Sequence, residues 1–379
     1  MVAHLNKHKL LSECQSGYKK THSCSTAVLK ITDDIRQAFD IDFLTILVLL
    51  DFSKAFDKVF HPLLLHKLKF YFGFSSSAIA LLKSYLSMRS QRVCSKGATS
   101  SAKLISSGVP QGSILGPTLF SMFINDIVHC VKNSSIHLYA DDAQIYMSRP
   151  IGLSEDLISR INDDLSAIYC WSKNNLLDLN VGKTKAIAIS RVPYDLATLP
   201  NIFLNDVPVR FEKVVTSLGF KINSMLTCSD HINFTVSKMY FVLRKLWQTA
   251  RLVPQITKMK LVRSLALPAL AYCEVVYGNM DSASRNKVQL CLNNLARFVF
   301  SKRKYDSISE ESKQLFNCNL EGHLKKPNLL FMHRLIHSQR PSYLFSKVSL
   351  SQSHRTHNLI PPVSKCLATS HSNPLEHLT

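Results

Sequence analysis

Apolar positions along the chain change period several times, and each change marks an element. Between His22 and Phe39 the residues Ala27, Val28, Ile31, Ile35 and Ala38 fall at helical spacing. The unbroken run Leu44-Thr-Ile-Leu-Val-Leu-Leu50 then reads as a fully buried strand that ends on Asp51. Helices are expected from His61, with Pro62 in the first turn, and over Ser77–Met88. Short strands around Gln91–Ser95 and Lys103–Ser106 lead into a glycine- and proline-rich loop, and a helix over Thr118–Val131 follows. Ser154 reads as the N-cap of a long helix, with Glu155 and Asp156 in its first turn. Leu157, Ile161, Leu165 and Ile168 form that helix's packed face. Leu177–Ser190 and Val214–Ile222 read as strands. Beyond about Met225 helix follows helix: Ile232–Ala250, Ile256–Tyr272 and Ser282–Phe300. The expected class is α+β, with antiparallel strands rather than a regular βαβ series. Residues 1–225 are expected to form one domain and 226–345 a helical region. Residues 346–379, rich in Ser, His and Pro, are expected to form a flexible tail. No internal repeat is visible.

Composition narrows the partners. At 379 residues with 46% hydrophobic content, the chain can bury a sizeable core and is not globally disordered. Lys and Arg number 46 against 26 Asp and Glu, a formal net charge of +20. That excess favours a polyanion, because each cation laid on a phosphate releases counterions. Ten cysteines without a single Cys-x-x-Cys pair argue against a zinc knuckle or a disulfide framework, and for reduced thiols in an intracellular compartment. The N-terminal residues lack the apolar core of a secretory signal, and no apolar run approaches the roughly 20 residues a membrane helix needs. A soluble, intracellular protein is expected.

The chemistry concentrates in Ile136-His-Leu-Tyr-Ala-Asp-Asp-Ala-Gln-Ile-Tyr146, which reads as a hairpin with acids at its tip. Adjacent like charges repel unless a cation sits with them. Asp141 and Asp142 therefore point to a hard divalent metal, with Asp51 as the third ligand. Strand–acid plus strand–acid–acid is what a two-metal nucleotidyl-transfer site needs. Asp57, in Leu50-Asp-Phe-Ser-Lys-Ala-Phe-Asp57, reads as a structural turn residue. Phe56 is either core or an aromatic that excludes a ribose 2′-hydroxyl. The loop Gly108-Val-Pro-Gln-Gly-Ser-Ile-Leu-Gly-Pro117 allows close backbone approach to a ligand, and Gln111 would offer it an amide. In Asn180-Val-Gly-Lys-Thr-Lys185, Lys183 is either a solvated surface lysine or a cation beside a triphosphate. His333 and His337 stand four apart on an expected helix but have no third ligand, and read as surface histidines.

Together these segments resemble the reverse transcriptases of non-LTR (LINE-type) retrotransposons, particularly the jockey and CR1-like groups. Gln15-Ser-Gly-Tyr-Lys-Lys-Thr-His-Ser23 is similar to the family's finger segment, Leu50–Val59 to its first palm motif and Ser107–Phe120 to the second. Tyr139–Asp142 resembles the YADD box, Asn180–Lys185 the lysine motif and Ser217–Phe220 the primer-grip hairpin. Ala271–Gly278, Leu295–Phe298 and Pro341–Leu344 resemble the helical part that follows. The resemblance implies a right-handed polymerase of partial fingers, palm and helical thumb. It implies an RNA-directed DNA polymerase that adds dNTPs to a primer 3′-hydroxyl, with Mg²⁺ or alternatively Mn²⁺ as cofactor. Template RNA and primer DNA are the implied partners, with no protein partner indicated. Asp51, Asp141 and Asp142 take the metal and catalytic positions, and Lys183 the pyrophosphate-side cation. Phe56 takes the sugar gate, while Gln111, Gly112, Tyr139 and Lys19 take substrate positions. Lys19 stands where the family usually has arginine, a less exact phosphate clamp. The chain begins just before the finger segment, so an N-terminally truncated copy without endonuclease or earlier finger strands is expected. Such an element would work in the nucleus, in a cytoplasmic ribonucleoprotein, or in both. A catalytically inactive nucleic-acid-binding remnant is the alternative reading, and a group II intron-type maturase or telomerase-like polymerase a third.

Overall fold

A computed structural model describes residues 1–278, 280–316, 320–350 and 359–360. Most of the expected tail, 346–379, lies outside the described residues. The chain folds into two compact units, each assembled from separate stretches of sequence. The first comprises Met1–Ser23, Asp42–Ala188 and Val192–Glu212, and the second Cys24–Ile41, Ile189–Arg191 and Lys213–Thr379.

The first unit is α+β. Its central sheet contains β1 (Phe43–Leu50), β2 (Ser135–Tyr139), β3 (Asp142–Pro150) and β4 (Lys185–Ile189) in the order β2-β3-β1-β4. Strands β1 and β3 are antiparallel, with Leu50 opposite Ala143 and Phe43 opposite Pro150. Side chains alternate between faces along a strand. Leu44, Ile46, Val48 and Leu50 accordingly join Ala143, Ile145 and Met147 in one apolar core. Leu157, Ile161, Leu165 and Ile168 of the helix Ser154–Asn174 enter the same core. The opposite face is buried but mixed: Leu47, His137, Gln144 and Tyr146 lie there, and Thr45 shares a 2.7 Å hydrogen bond with Ser148.

One cation is buried in this unit. Lys67, on the helix His61–Phe70, is only 3% exposed. Its ammonium donates to the Phe123 carbonyl at 2.8 Å and to both oxygens of Asp126 at 2.7 and 2.8 Å. The rings of Phe123 and Trp171 lie 4.8 and 5.3 Å away. Burial holds the Lys67 pKa below its ordinary value, and the Asp126 carboxylate opposes that shift. A cation on the last carbonyl also suits the C-terminal end of the helix Gly116–Phe123.

That contact bears on where the helix stops. The periodicity predicts one helix to Val131, but it ends at Phe123 and continues as a 3₁₀ segment over Asn125–His129. At the break the Asn125 amide accepts from the Ser12 N–H at 2.8 Å and donates to the Leu10 carbonyl at 3.1 Å. Other boundaries differ as well. Ser154 opens its helix rather than capping it, because a 3₁₀ turn, Ile151–Leu153, leads in. The expected strand 177–190 is split. Residues 178–180 pair with 51–53, a turn occupies 180–184, and only Lys185–Ile189 joins the sheet. The strands near 91–95 and 103–106 are two-residue fragments.

The second unit is mainly helical. It holds the helices Cys24–Asp40, Ser229–Trp247, Ser282–Phe300 and Leu320–Ser338. The helix expected over 256–272 runs from Gln255 to Ala271 through a π turn at Val262–Ala266. Val214–Ser217 and Phe220–Asn223 form a hairpin whose two turn residues, Leu218 and Gly219, both have positive φ. A two-residue hairpin turn of this kind matches the twist of its strands. The Tyr272 hydroxyl donates to the Leu218 carbonyl and fixes the turn. His333 and His337 are exposed, as expected. The eight described cysteines are all free thiols. Among the described residues no helix is long and apolar enough to cross a membrane.

The buried Lys67–Asp126 pair generates a stability prediction. Asp126→Ala strands a buried ammonium and is expected to cost about 3 kcal/mol or more. Lys67→Met, which removes the buried charge itself, is expected to cost clearly less. Urea unfolding of both variants decides between them, and equal losses would count against the buried charge as the cause.

Candidate active site

The acids gather because of strand register. Continuing the β1–β3 pairing one step beyond Leu50 and Ala143 sets Asp51 opposite Asp142. Directly opposed residues of antiparallel strands project to the same face. That face is the mixed one, away from the main core. Asp142 also pairs with Tyr139 across the β2–β3 hairpin, leaving Ala140 and Asp141 as the two-residue turn. The carboxylates feel one another. Asp142 is pushed up to about 6 by burial, then by the charges of Asp141 and Asp51. Asp141 is also raised, by burial and by Asp51, with a backbone hydrogen bond pulling the other way. Asp51 Oδ2 is buried without a hydrogen-bond partner.

Lys183 reaches this cluster from the 180–184 turn. Asn180 N donates to the Asp51 carbonyl at 2.8 Å, and the turn returns the Lys183 ammonium to 3.8 Å from Asp51 Oδ2. The Lys183 side chain is otherwise open to solvent. Phe56 follows Asp51 through a 3₁₀ turn and is held on two sides. Its ring stacks on Phe120 at 4.2 Å and meets Tyr18 edge-on at 6.4 Å. Tyr18 is half-open, and its pKa is raised by partial burial and then by the Asp141 charge. Gln111 donates to Asp57 Oδ1 at 2.7 Å, so Asp57 orients that side chain rather than capping backbone amides. Gly112 sits in the same loop at φ +77°. Lys19 donates to the Ser12 carbonyl at 2.5 Å, on its own segment of chain.

Sequence reasoning missed the support beneath the turn. Ala140 has φ +56°, a conformation that disfavours any residue carrying a Cβ. Fully buried Gln15 holds it there. Its Oε1 accepts from Ala140 N at 3.0 Å and Gly17 N at 2.7 Å, and its Nε2 donates to the Ala140 carbonyl at 3.4 Å. Residues 14–16 run beside β2, with Ser16 N on the Leu138 carbonyl and Leu138 N on the Cys14 carbonyl, both at 2.8 Å. A Cβ on Gly17 would stand 2.3 Å from Ala140 N, so only glycine allows the approach. A lone glutamine among polar residues carries no periodic signal, and only the fold brings it under the acids.

Among the described residues no three acidic, His or Cys side chains already stand at chelating distance around one point. The donor set nonetheless suits a hard divalent cation: three carboxylates within electrostatic reach, one with an orphaned buried oxygen. A carboxylate cluster beside a lysine and a fixed aromatic wall is the kind of site that handles phosphate esters and their metals.

The chain belongs to the reverse transcriptase (RNA-dependent DNA polymerase) family, whose sequence model matches residues 1–222. It is 28% identical over 337 residues to the RNA-directed DNA polymerase from mobile element jockey of Drosophila melanogaster, covering 86% of this chain and 36% of that protein. It is 27% identical over 307 residues to the probable RNA-directed DNA polymerase from transposon BS of the same organism, covering 78% and 33%. The resemblance to jockey-type elements read from the motifs therefore holds. This chain spans about a third of the length of these curated relatives. The solved apo telomerase from Candida Tropicalis aligns over 91% of this chain and 59% of that one, at 12% identity and a TM-score of 0.43. So loose a likeness carries no argument.

Two expectations follow from this geometry. Gln15→Ala leaves the Ala140 amide buried and unmet and is expected to cost about 1–3 kcal/mol. Gly17→Ala should push the turn away and lose at least as much. Denaturant melts that matched wild type for both would remove the bracing role. The second concerns pH. With its pKa raised in the folded state, Asp142 stabilises the fold when protonated, and that contribution is lost as pH rises through about 6. Asp142→Asn should therefore raise the melting temperature of the metal-free protein near neutral pH and flatten its dependence between about pH 4 and 6. The gain should be about 1 kcal/mol or less, because the site is open to solvent. A lower melting temperature for the variant at neutral pH would contradict the repulsion.

Proposed function

We propose that this chain carries the nucleotidyl-transfer site of a non-LTR retrotransposon's RNA-directed DNA polymerase. The convergence of Asp51, Asp141 and Asp142 at two strand ends carries this reading, with Lys183 and Phe56 beside them. In it, the first unit supplies palm and partial fingers, and the helices beyond about residue 225 supply the thumb. Template RNA, primer DNA and dNTPs are the substrates, and the protein works in a ribonucleoprotein in the cytoplasm, at nuclear DNA, or both.

Asp51, Asp141 and Asp142 would hold Mg²⁺, with Mn²⁺ as a substitute. When bound, the ions lower the pKa of the primer 3′-hydroxyl and neutralise triphosphate charge. The chain's own residues position the reactants, which is most of what phosphoryl transfer asks of a protein. Lys183, next to Asp51, stabilises negative charge on the departing pyrophosphate. Phe56, pinned between Phe120 and Tyr18, gives the sugar a rigid wall that a 2′-hydroxyl would strike. Gln111, oriented by Asp57, presents its amide to the nucleotide or template strand, with Gly112 letting the backbone come close. Tyr139, opposite Asp142, lies on the substrate side of the hairpin. Lys19 is assigned a weaker phosphate contact from the finger segment.

Extension of oligo(dT) on poly(rA) with Mg²⁺ or Mn²⁺ tests this reading. Wild-type protein is expected to extend the primer, while folded Asp141→Asn loses at least about a hundredfold in rate, the scale of removing one electrostatic catalytic group. Mg²⁺ should also raise the melting temperature of wild type but not of Asp51→Asn/Asp142→Asn. Full activity in folded Asp141→Asn, or no extension by folded wild type, would overturn the assignment for this chain.

A further inference from the structure

Within the second unit, the helices Ser229–Trp247 and Ser282–Phe300 flank a cavity of about 560 Å³, in the range of small-ligand sites. It is lined by Tyr240, Leu243, Arg244, Trp247, Asn294, Arg297, Lys302 and Lys304, with no carboxylate among them. Two features separate it from an ordinary basic surface. First, its aromatics are held yet open. Trp247 packs edge-on against buried Phe298 at 5.2 Å but remains 50% exposed, and Tyr240 is 37% exposed. Buried Leu243 forms an apolar floor between them. Second, its polar groups are organised and incompletely used. Asn294 Nδ2 donates to the Tyr240 hydroxyl at 3.0 Å, leaving the phenolic proton able to donate onward. Arg297 is half-buried, and its Nε has no partner. Lys302 shares its charge with Glu311 at 2.8 Å, while Arg244, Arg297 and Lys304 add three more cations.

A flat aromatic with cations around it fits an unpaired nucleotide, whose base stacks while its phosphates meet the positive charges. A duplex offers no free base face to such a pocket. The Tyr240–Asn294 pair adds a donor beside the stacking surface, suited to a ribose 2′-hydroxyl. We propose that this pocket binds an unpaired segment of RNA, one base on Trp247 and its flanking phosphates on Arg244, Arg297 and Lys304. The choice of RNA over DNA rests in part on the RNA-copying reading above; the pocket's cationic, aromatic character does not.

The test is fluorescence anisotropy of labelled short oligouridylate and oligodeoxythymidylate with the full chain, without dNTP or divalent metal. It is thus independent of whether the chain polymerises. Trp247→Ala is expected to weaken oligouridylate binding about tenfold or more, the scale of losing one stacked base. Trp247→Phe should restore most of that loss. Because Trp247 also packs on Phe298, a second variant keeps the ring: Arg244→Gln/Lys304→Gln. It should reduce the slope of log affinity against log salt by about 1.4, at about 0.7 per single-strand phosphate contact. The control Lys7→Gln/Lys9→Gln should change it less. Undiminished RNA binding by folded Trp247→Ala would overturn the proposal. So would a charge variant no worse than the control, or equal losses for RNA and DNA.

Discussion

The antiparallel register of β1 against β3 is the constraint on which the site depends. Pairing Leu50 with Ala143 fixes Asp51 opposite Asp142, on the face away from the main core. A slip of one residue would invert every side chain of the moved strand and scatter the acids. The register withstands their repulsion because far more free energy holds it. Leu44, Ile46, Val48, Ile145 and Met147 are buried, at about 1.5–3 kcal/mol for each such side chain, against roughly 1 kcal/mol of screened repulsion. A hydrophobic pattern thereby keeps charges together that would otherwise separate.

Register alone does not aim the acids. The turn between Tyr139 and Asp142 holds Ala140 in a backbone conformation that alanine disfavours, and strain of this kind persists where surrounding structure over-determines it. Gln15 supplies that restraint from a segment 125 residues away in sequence, and the missing side chain of Gly17 lets the backbones close. The remaining pieces arrive by the same means. Pairing of residues 178–180 with 51–53 carries Lys183 to Asp51, and packing of Phe56 on Phe120 fixes an aromatic wall. Rigid backbone contacts rather than side-chain flexibility thus position groups that positional chemistry requires.

The helical unit follows a different logic. The aromatics of its pocket and the cations Arg244 and Arg297 lie along two long helices, where side chains three and four positions apart share a face, while Lys302 and Lys304 follow the second helix. Tyr240, Leu243, Arg244 and Trp247 follow that spacing, and Asn294 and Arg297 do so on the neighbouring helix. The overall charge of +20 signals affinity for polyanions without indicating where it acts. The cavity between the helices gives that charge a shape.

Local patterning by itself determined the existence and type of the long elements. The buried strand β1, the acid-tipped hairpin and the helices Ser154–Asn174 and Ser282–Phe300 all follow periodicity that packing then satisfies. The adjacent carboxylates were equally legible, because like charges side by side are costly and so mark a cation site. The order of the motifs matched the reverse transcriptase family to which residues 1–222 belong. Tertiary structure decided whatever depended on distant partners. Lys67 and Asn125 sit where the helix breaks, an event invisible in an apolar run that continues past Phe123. The strand expected over 177–190 divides because part of it pairs with residues 51–53. The bracing by Gln15 and Gly17 was not legible in the sequence, because the Ala140 turn they meet lies 125 positions from Gln15. Periodicity reports which face of an element is apolar, whereas a hydrogen bond or a close backbone approach between remote segments exists only once the chain is folded.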